Sequence, residues 1–228
     1  MAKKKELTLD RLLDAILPHV VFDGWLPASF KAALGDLNVS EADAKLVAPR
    51  GAIDLAVAYH RRADAAMVAR MAEADLSDLR YSEKVATALR YRIEVMDNRE
   101  AVRRASTLFA LPMNSVEGGK LIWETADAIW NALGDTSEDA NWYTKRATLS
   151  GVWASTVLFW LGDDSAGFAD TFAFIDRRIE DVMRIEKMKS KLRENPLSKP
   201  LMQIQDAFFS KMRAAGSAPD DLPGSVSR

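Results

Sequence analysis

Apolar residues recur at helical spacing almost from the start of the chain. Leu9, Leu12, Leu13, Ile16, Leu17 and Val20 follow the i, i+3, i+4, i+7 template, and Asp23-Gly24 then interrupts it. Pro27 opens a second short helix reaching Leu34. Ser40, with Asp43 three residues on, reads as a capping box for a third that ends before Pro49. Three short helices joined by tight turns describe a helix-turn-helix-like head over residues 1–50. A long helix follows from about Ala52 to Ala74, with Ile53, Val57, His60, Met67 and Met71 on one side.

The pattern continues without a break in kind. Ser82 is placed to cap a helix with the stripe Val85, Leu89, Ile93 and Met96, and another runs from about Arg99 to Phe109. Pro112 and Asn114, with Glu117, start a helix bearing Leu121, Ile122, Ile129, Trp130 and Leu133, which Gly134 stops. The next segment, from Asp139, becomes uncharged between Ala147 and Gly162. Those sixteen residues fall short of the roughly 20 that cross a bilayer. They read instead as a central helix, apolar nearly all round because other helices surround it. After Gly167 a long helix carries Phe172, Ile175, Ile179, Val182 and Ile185, and Asn195-Pro196 breaks it. A last helix, about Ser198 to Ala214, precedes a Gly/Ser/Pro/Asp tail expected to be disordered. No segment alternates with period two, so the expected fold is all-α, a bundle of about ten helices. Its divisions are the head at 1–50, a helical domain at 51–194, an amphipathic helix at 195–214 and the tail at 215–228.

Composition narrows the chemistry. The chain has 228 residues, 48% of them hydrophobic, and no cysteine, so disulfides, thiolate metal sites and cysteine nucleophiles are excluded. MAKKKELTLD lacks the apolar region of a secretory signal, which predicts a cytoplasmic protein. His19 and His60 sit on different helices with no ligand-like spacing and read as ordinary core or surface histidines. Glu138-Asp139 and Asp163-Asp164 lie at helix ends, where carboxylates serve capping and the helix dipole. Gly118-Gly119-Lys120 lacks the remainder of a phosphate loop. No catalytic constellation, metal set or cofactor motif emerges, and the expectation is a protein that is not an enzyme.

Charge then weighs on partners. Net charge is −2, but from Arg184 to Arg213 eight basic residues face Glu186, Glu194 and Asp206. The body is mildly acidic and its C-terminal end basic. In the head, Lys31, Lys45 and Arg50 are cancelled by Asp36, Glu41 and Asp43, and the would-be recognition helix begins Ser40-Glu41-Ala42-Asp43. Acids at the end that faces bases argue against nucleic-acid binding. The last helix presents Leu197, Leu201, Met202, Ile204, Phe208, Phe209 and Met212 as one apolar stripe, with Lys187, Lys189, Lys191, Arg193 and Lys199 nearby. Each cation adds about 1 kcal/mol at an anionic lipid surface, so this element is expected to lie on a membrane rather than span it. Packing on its own body, or on a second copy, is the competing reading.

Trp142 and Tyr143 stand between two readings. Trp142 shares a helical side with Arg146, Leu149 and Trp153, which favours the core, yet it lies beside Asn141, Lys145 and Arg146. Aromatics together with Arg are the usual anchors of protein interfaces.

At these residues the chain resembles a known family. Asp139, Asn141-Trp142-Tyr143-Thr144, Lys145-Arg146, Asp164-Ser165 and Asp170-Thr171 are similar to the distinguishing block of the ubiquinone-biosynthesis accessory family, that of coenzyme Q biosynthesis protein nine. The similarity extends through Phe174-Ile175 to Arg178, back to Trp130 and Gly134, and more weakly to Gly24-Trp25. The resemblance implies a TetR-repressor-like fold whose head does not regulate DNA. It implies a hydrophobic pocket for isoprenoid quinone lipids, a membrane-contacting C-terminal helix, self-association as a homodimer and a peripheral place on the inner face of the membrane. It further implies that quinone intermediates are presented to the di-iron demethoxyubiquinone hydroxylase through a patch of Asp139, Trp142, Tyr143 and Arg146. A ligand-responsive TetR-like transcriptional regulator is the alternative.

Overall fold

The structure, a computed structural model, describes residues 7–137 and 140–194. Among them run nine α-helices and one short 3-10 turn, Ala166–Phe168, and no strand. The helices are α1 Leu9–Asp23, α2 Pro27–Leu37, α3 Glu41–Val47, α4 Ala52–Glu73, α5 Tyr81–Glu94, α6 Arg99–Ala110, α7 Ser115–Ala132, α8 Ala140–Trp160 and α9 Ala169–Glu194. Among the described residues the fold is the all-α bundle that the spacing predicts. The predicted amphipathic helix, with Leu197, Leu201, Met202, Ile204, Phe208, Phe209 and Met212, lies outside the described residues, as does Asp139.

Local chemistry sets the boundaries. Thr8 and Ser40 accept backbone N–H groups from Arg11 and Asp43 at the starts of α1 and α3. Pro27 occupies the first turn of α2, where its missing N–H costs nothing. One start differs from the sequence expectation: Ser82 does not cap α5. The helix begins two residues earlier, with Arg80 as its N-cap, because Glu83 reaches back to accept the Arg80 backbone N–H at 2.8 Å and its guanidinium at 2.6 Å.

Two cores result. The head core gathers Leu12, Ile16, Trp25, Ala33, Leu55 and Ala101. The larger one gathers Met67, Leu89, Ile129, Trp153, Trp160 and Ile175. Helix α4 serves both, its first half packing on α1 and its second on α5 and α7. Helix α6 joins them as well, and Trp25 Nε1 donates to the Ala101 carbonyl at 3.0 Å from the head. A second correction concerns α8. It is not enclosed on every side: Leu149, Val152, Trp153 and Trp160 are buried, but Ala147, Gly151, Leu158 and Phe159 face outward. Small and hydroxyl-bearing residues kept the stretch uncharged without making it wholly internal.

Candidate functional site

Helices α4 to α8 enclose a cavity of about 420 Å³. Its wall is mainly apolar, from Ala63, Met96, Phe109, Ile122, Trp153 and Val157. A close crossing of α6 and α7 helps to shape it. A Cβ placed on Gly118 would meet Phe109 Cβ at 2.8 Å and the Phe109 carbonyl oxygen at 3.1 Å, so only glycine allows the two backbones this near. The Gly118-Gly119 pair therefore marks helix packing at the cavity wall.

The mouth is exposed and apolar. The end of α6 and the start of α7 supply the lining residues Ala110 and Ser115, and Met113 between the two helices and Val116 in the first turn of α7 are 83% and 85% exposed. Leu158, another lining residue, is exposed in the wall made by α8.

One part of the wall is polar. Arg92 donates through Nε to Asp64 Oδ1 at 2.6 Å and through Nη2 to the His60 carbonyl at 3.1 Å. Thr125 Oγ1 donates to Asp64 at 2.9 Å and lies 2.9 Å from His60 Nε2. Burial, aided by the Arg92 charge, pushes the His60 pKa down to about 4, so the imidazole is neutral at pH 7. Sequence reasoning identified none of these as site residues beyond weighing His60. The available signal was charge on an apolar face: Arg92 sits among Val85, Leu89, Ile93 and Met96, and Asp64 between His60 and Met67.

The patch expected on α8 has a layered build. Tyr143 is 64% exposed, and Trp142 beneath it is half-buried, their rings meeting edge-on at 4.7 Å. Trp123 of α7 approaches Trp142 at 5.8 Å, adding an aromatic the sequence reading missed. Arg146 is placed differently, at 1% exposure. Its guanidinium carbon lies 3.9 Å from the Trp142 ring centre, and its nitrogens donate to Asp127 at 2.5 Å, Asn131 at 3.1 Å and Asp135 at 3.1 Å. Lys145 donates to Asp135 at 2.7 Å and to Ser137 at 2.8 Å. Burial alone would raise the Asp135 pKa, but Lys145, Ser137 and Arg146 outweigh it and hold it at about 2. Arg146 thus supports the patch from within, while Trp142 and Tyr143 form its face. A second cavity of about 320 Å³ is bordered by Tyr81 of α5, Trp130 of α7, Lys145 and Leu149 of α8 and Val182 of α9.

Ser165, Asp170 and Thr171 of the distinguishing block join Asp163, which lies outside it, in a structural network. Asp163 accepts from the Ser165 N–H at 2.8 Å, the Thr171 N–H at 2.9 Å and the Thr171 hydroxyl at 2.5 Å. Ser165 in turn accepts the Asp170 N–H at 3.0 Å. This is the start of α9, in agreement with the capping role expected of the tandem carboxylates.

Comparison with known proteins agrees with the geometry. Residues 116–186, which span α7, α8 and much of α9, match the COQ9 family model. The chain is 30% identical to the mitochondrial ubiquinone biosynthesis protein COQ9 of Rattus norvegicus over 194 residues, covering 80% of this chain and 61% of that protein. It is 28% identical to the Homo sapiens protein of the same name, covering 80% and 60%. It is 27% identical to the probable mitochondrial ubiquinone biosynthesis protein coq9 of Dictyostelium discoideum, covering 81% and 62%. The matched region thus spans about three fifths of these relatives' length. A TetR transcriptional regulator from Nitrosomonas europaea ATCC 19718 superposes with a TM-score of 0.62 at 19% identity, covering 75% of this chain and 95% of that one. That likeness shows a TetR-like fold.

Proposed function

We propose that this chain, a relative of the COQ9 proteins, is a non-enzymatic lipid-binding accessory protein of ubiquinone biosynthesis. The observation that carries the reading is the cavity. Its volume falls within the roughly 300–1,000 Å³ of small-molecule sites, and its wall is apolar with one polar cluster. A long isoprenoid tail does not enter water on its own, so a protein that moves such a lipid needs a dry chamber and a way onto the bilayer. The exposed apolar mouth supports the second requirement, and a C-terminal amphipathic helix would add to it. Among the described residues no helix is long and apolar enough to cross a membrane. The proposed location is therefore peripheral, on the inner, cytoplasmic face of the membrane.

The proposed cargo is an isoprenoid quinone intermediate, and the proposed recipient is the di-iron demethoxyubiquinone hydroxylase. Trp142 and Tyr143 meet that partner with Arg146 behind them, and Asp139, outside the described residues, is proposed as part of the same patch. The outward face of α8 at Ala147 and Gly151 would accept a second copy in a homodimer. The alternative, a ligand-responsive regulator on the same fold, has less support. The start of α3 carries Glu41 and Asp43, and Lys45 is paired with Glu41 at 2.7 Å.

Organic extraction of the purified full chain, followed by mass spectrometry, tests the reading. Recovery of a quinone or another isoprenoid is expected. Several independent preparations yielding none, together with salt-sensitive binding to DNA, would overturn it in favour of the regulator.

A further inference from the structure

One polar side chain in the cavity wall is both deep and reachable. His60 of α4 lines the cavity, and 21% of its side chain is accessible. Burial is nonetheless the main reason its pKa falls to about 4, so the ring stands within the body of the bundle. Its accessible part therefore opens on the cavity. The Nε2 edge is turned onto α7, toward the Leu121 carbonyl at 3.1 Å and the Thr125 hydroxyl at 2.9 Å. Nδ1 has no hydrogen bond among the described residues, yet it is not sealed off as Arg92 Nη1 is. Nδ1 thus belongs to the accessible edge of the ring.

The surroundings of Nε2 fix which nitrogen carries the proton. The Leu121 carbonyl only accepts, and Asp64, 3.4 Å from Nε2, is a second acceptor. Thr125 gives its own proton to Asp64 at 2.9 Å. A bare lone pair at Nε2 would face these oxygens with no hydrogen between them, so Nε2 bears the N–H. The neutral ring then presents a lone pair at Nδ1, which accepts a hydrogen bond and cannot donate one. Other polar groups of the wall are engaged: the Tyr59 hydroxyl donates to Asp97 at 3.2 Å and that of Ser115 to the Pro112 carbonyl at 3.0 Å. The Ser106 hydroxyl can give or take, so it does not discriminate between ligands.

We infer that His60 Nδ1 is the recognition point for a neutral hydroxyl on an isoprenoid-bearing ring, a phenol or a hydroquinol. A quinone carbonyl or a methyl ether offers only lone pairs and would meet another lone pair there. A phenol ionises at about pH 10, so beside a base as weak as His60 it keeps its proton. The contact is then a hydrogen bond between neutral groups and brings no charge into the apolar chamber. Arg92 links this point to an aromatic wall, since it donates to the His60 carbonyl at 3.1 Å and lies 5.1 Å from the ring of Trp153, another lining residue. The inference rests on the cavity being the lipid site and adds the form in which the cargo is held, hydroxyl-bearing rather than quinone.

The test uses the full chain and three probes with the same geranyl tail: a geranylphenol, its methyl ether and geranylbenzene. Binding is followed by tryptophan quenching and by native mass spectrometry. The phenol is expected to bind about 3- to 10-fold more tightly than the ether, the worth of one hydrogen bond. His60→Gln keeps a donor where Nε2 stands and places no acceptor at Nδ1, so it should remove the difference between phenol and ether. A second readout does not depend on altering His60. The chain has two histidines, so in 15N-histidine-labelled protein carrying His19→Gln the remaining imidazole signals belong to His60. Its Nδ1 signal should move when the phenol is added and stay in place with the ether. Equal binding of phenol and ether by the unaltered chain would overturn the inference, as would a preference that survives His60→Gln or an Nδ1 signal that the phenol does not move. If His60→Gln does not fold, the spectrum decides. Failure of all three probes to bind would instead overturn the lipid-cavity reading itself, and this inference with it.

Discussion

The guanidinium carbon of Arg146 sits 3.9 Å from the centre of the Trp142 ring, while the same group is bonded to Asp127 at 2.5 Å. One buried cation thus ties α8 to α7 and backs an aromatic that reaches the surface. Arg146→Met would leave Asp135, itself nearly inaccessible, with only Lys145 as a cationic partner. Breaking a buried pair from one side costs about 3–5 kcal/mol, which should appear as a lower midpoint in thermal or urea unfolding. Arg146→Lys should recover only part of the loss, since one ammonium cannot reach Asp127, Asn131 and Asp135 together.

Tyr143 separates binding from folding more cleanly than Trp142. It is mostly exposed, so Tyr143→Ala should change stability by no more than about 0.5 kcal/mol. As an interface anchor its loss should weaken capture of the hydroxylase at least about tenfold in a pull-down or surface-binding assay. Trp142→Lys should abolish capture, with a modest stability loss of about 1–2 kcal/mol from the lost stacking. Unchanged capture by both variants would remove the patch from consideration.

Adjacent glycines should respond with opposite sign. Gly118→Ala pushes a methyl group against Phe109 backbone and Cβ, neither of which can swing aside. Overpacking of this kind costs about 1–3 kcal/mol and should displace α6, reducing lipid recovered on extraction. At Gly119 an added methyl group meets nothing within 4 Å, and the residue is helical. Gly119→Ala should therefore stabilise by about 0.5–1 kcal/mol, measured in the same unfolding experiment.

Acid should weaken the fold in two separate ranges. His60 has a folded pKa of about 4 against an ordinary 6.5, so between those values the unfolded chain binds a proton that the folded chain does not. Stability then falls as pH drops from 6.5 toward 4, by about 3 kcal/mol in all. Asp135 and Asp163 are held at about 2, below the ordinary 3.8, so their contribution is present above 3.8 and lost only as pH falls from there toward 2. Unfolding free energies measured from pH 7 to pH 3 should show the upper decline in the natural chain. His60→Gln should remove that decline and leave the lower one.

Much of the architecture was legible because it follows from periodicity and punctuation. The stripes of α1, α5 and α7, the caps at Ser40 and the stop at Gly134 all belong to one stretch of chain, where spacing alone carries the information. Arg92 was not legible, because its meaning depends on Asp64, which lies on another helix and comes close only after α4 and α5 pack. Arg146 shows the same gap from the other side. Its type and neighbours suggest a surface anchor, and only the return of Asp127 and Asp135 from α7 and its following turn explains why it can be buried. The exposed flank of α8 was missed because Gly151 and Ala147 are apolar without being committed to the interior.

Trp25 reaches from the head to hold the Ala101 carbonyl, and Ala101 opens the helix that further along supplies Val102, Ala105 and Phe109 to the chamber. The first three helices consequently act as scaffolding for one flank of the cavity, whatever they do or do not do at DNA. Shortening the chain from that end would leave the outer side of α6 wet and its inner side unsupported. The head therefore has a mechanical reason to be there that does not depend on any nucleic acid.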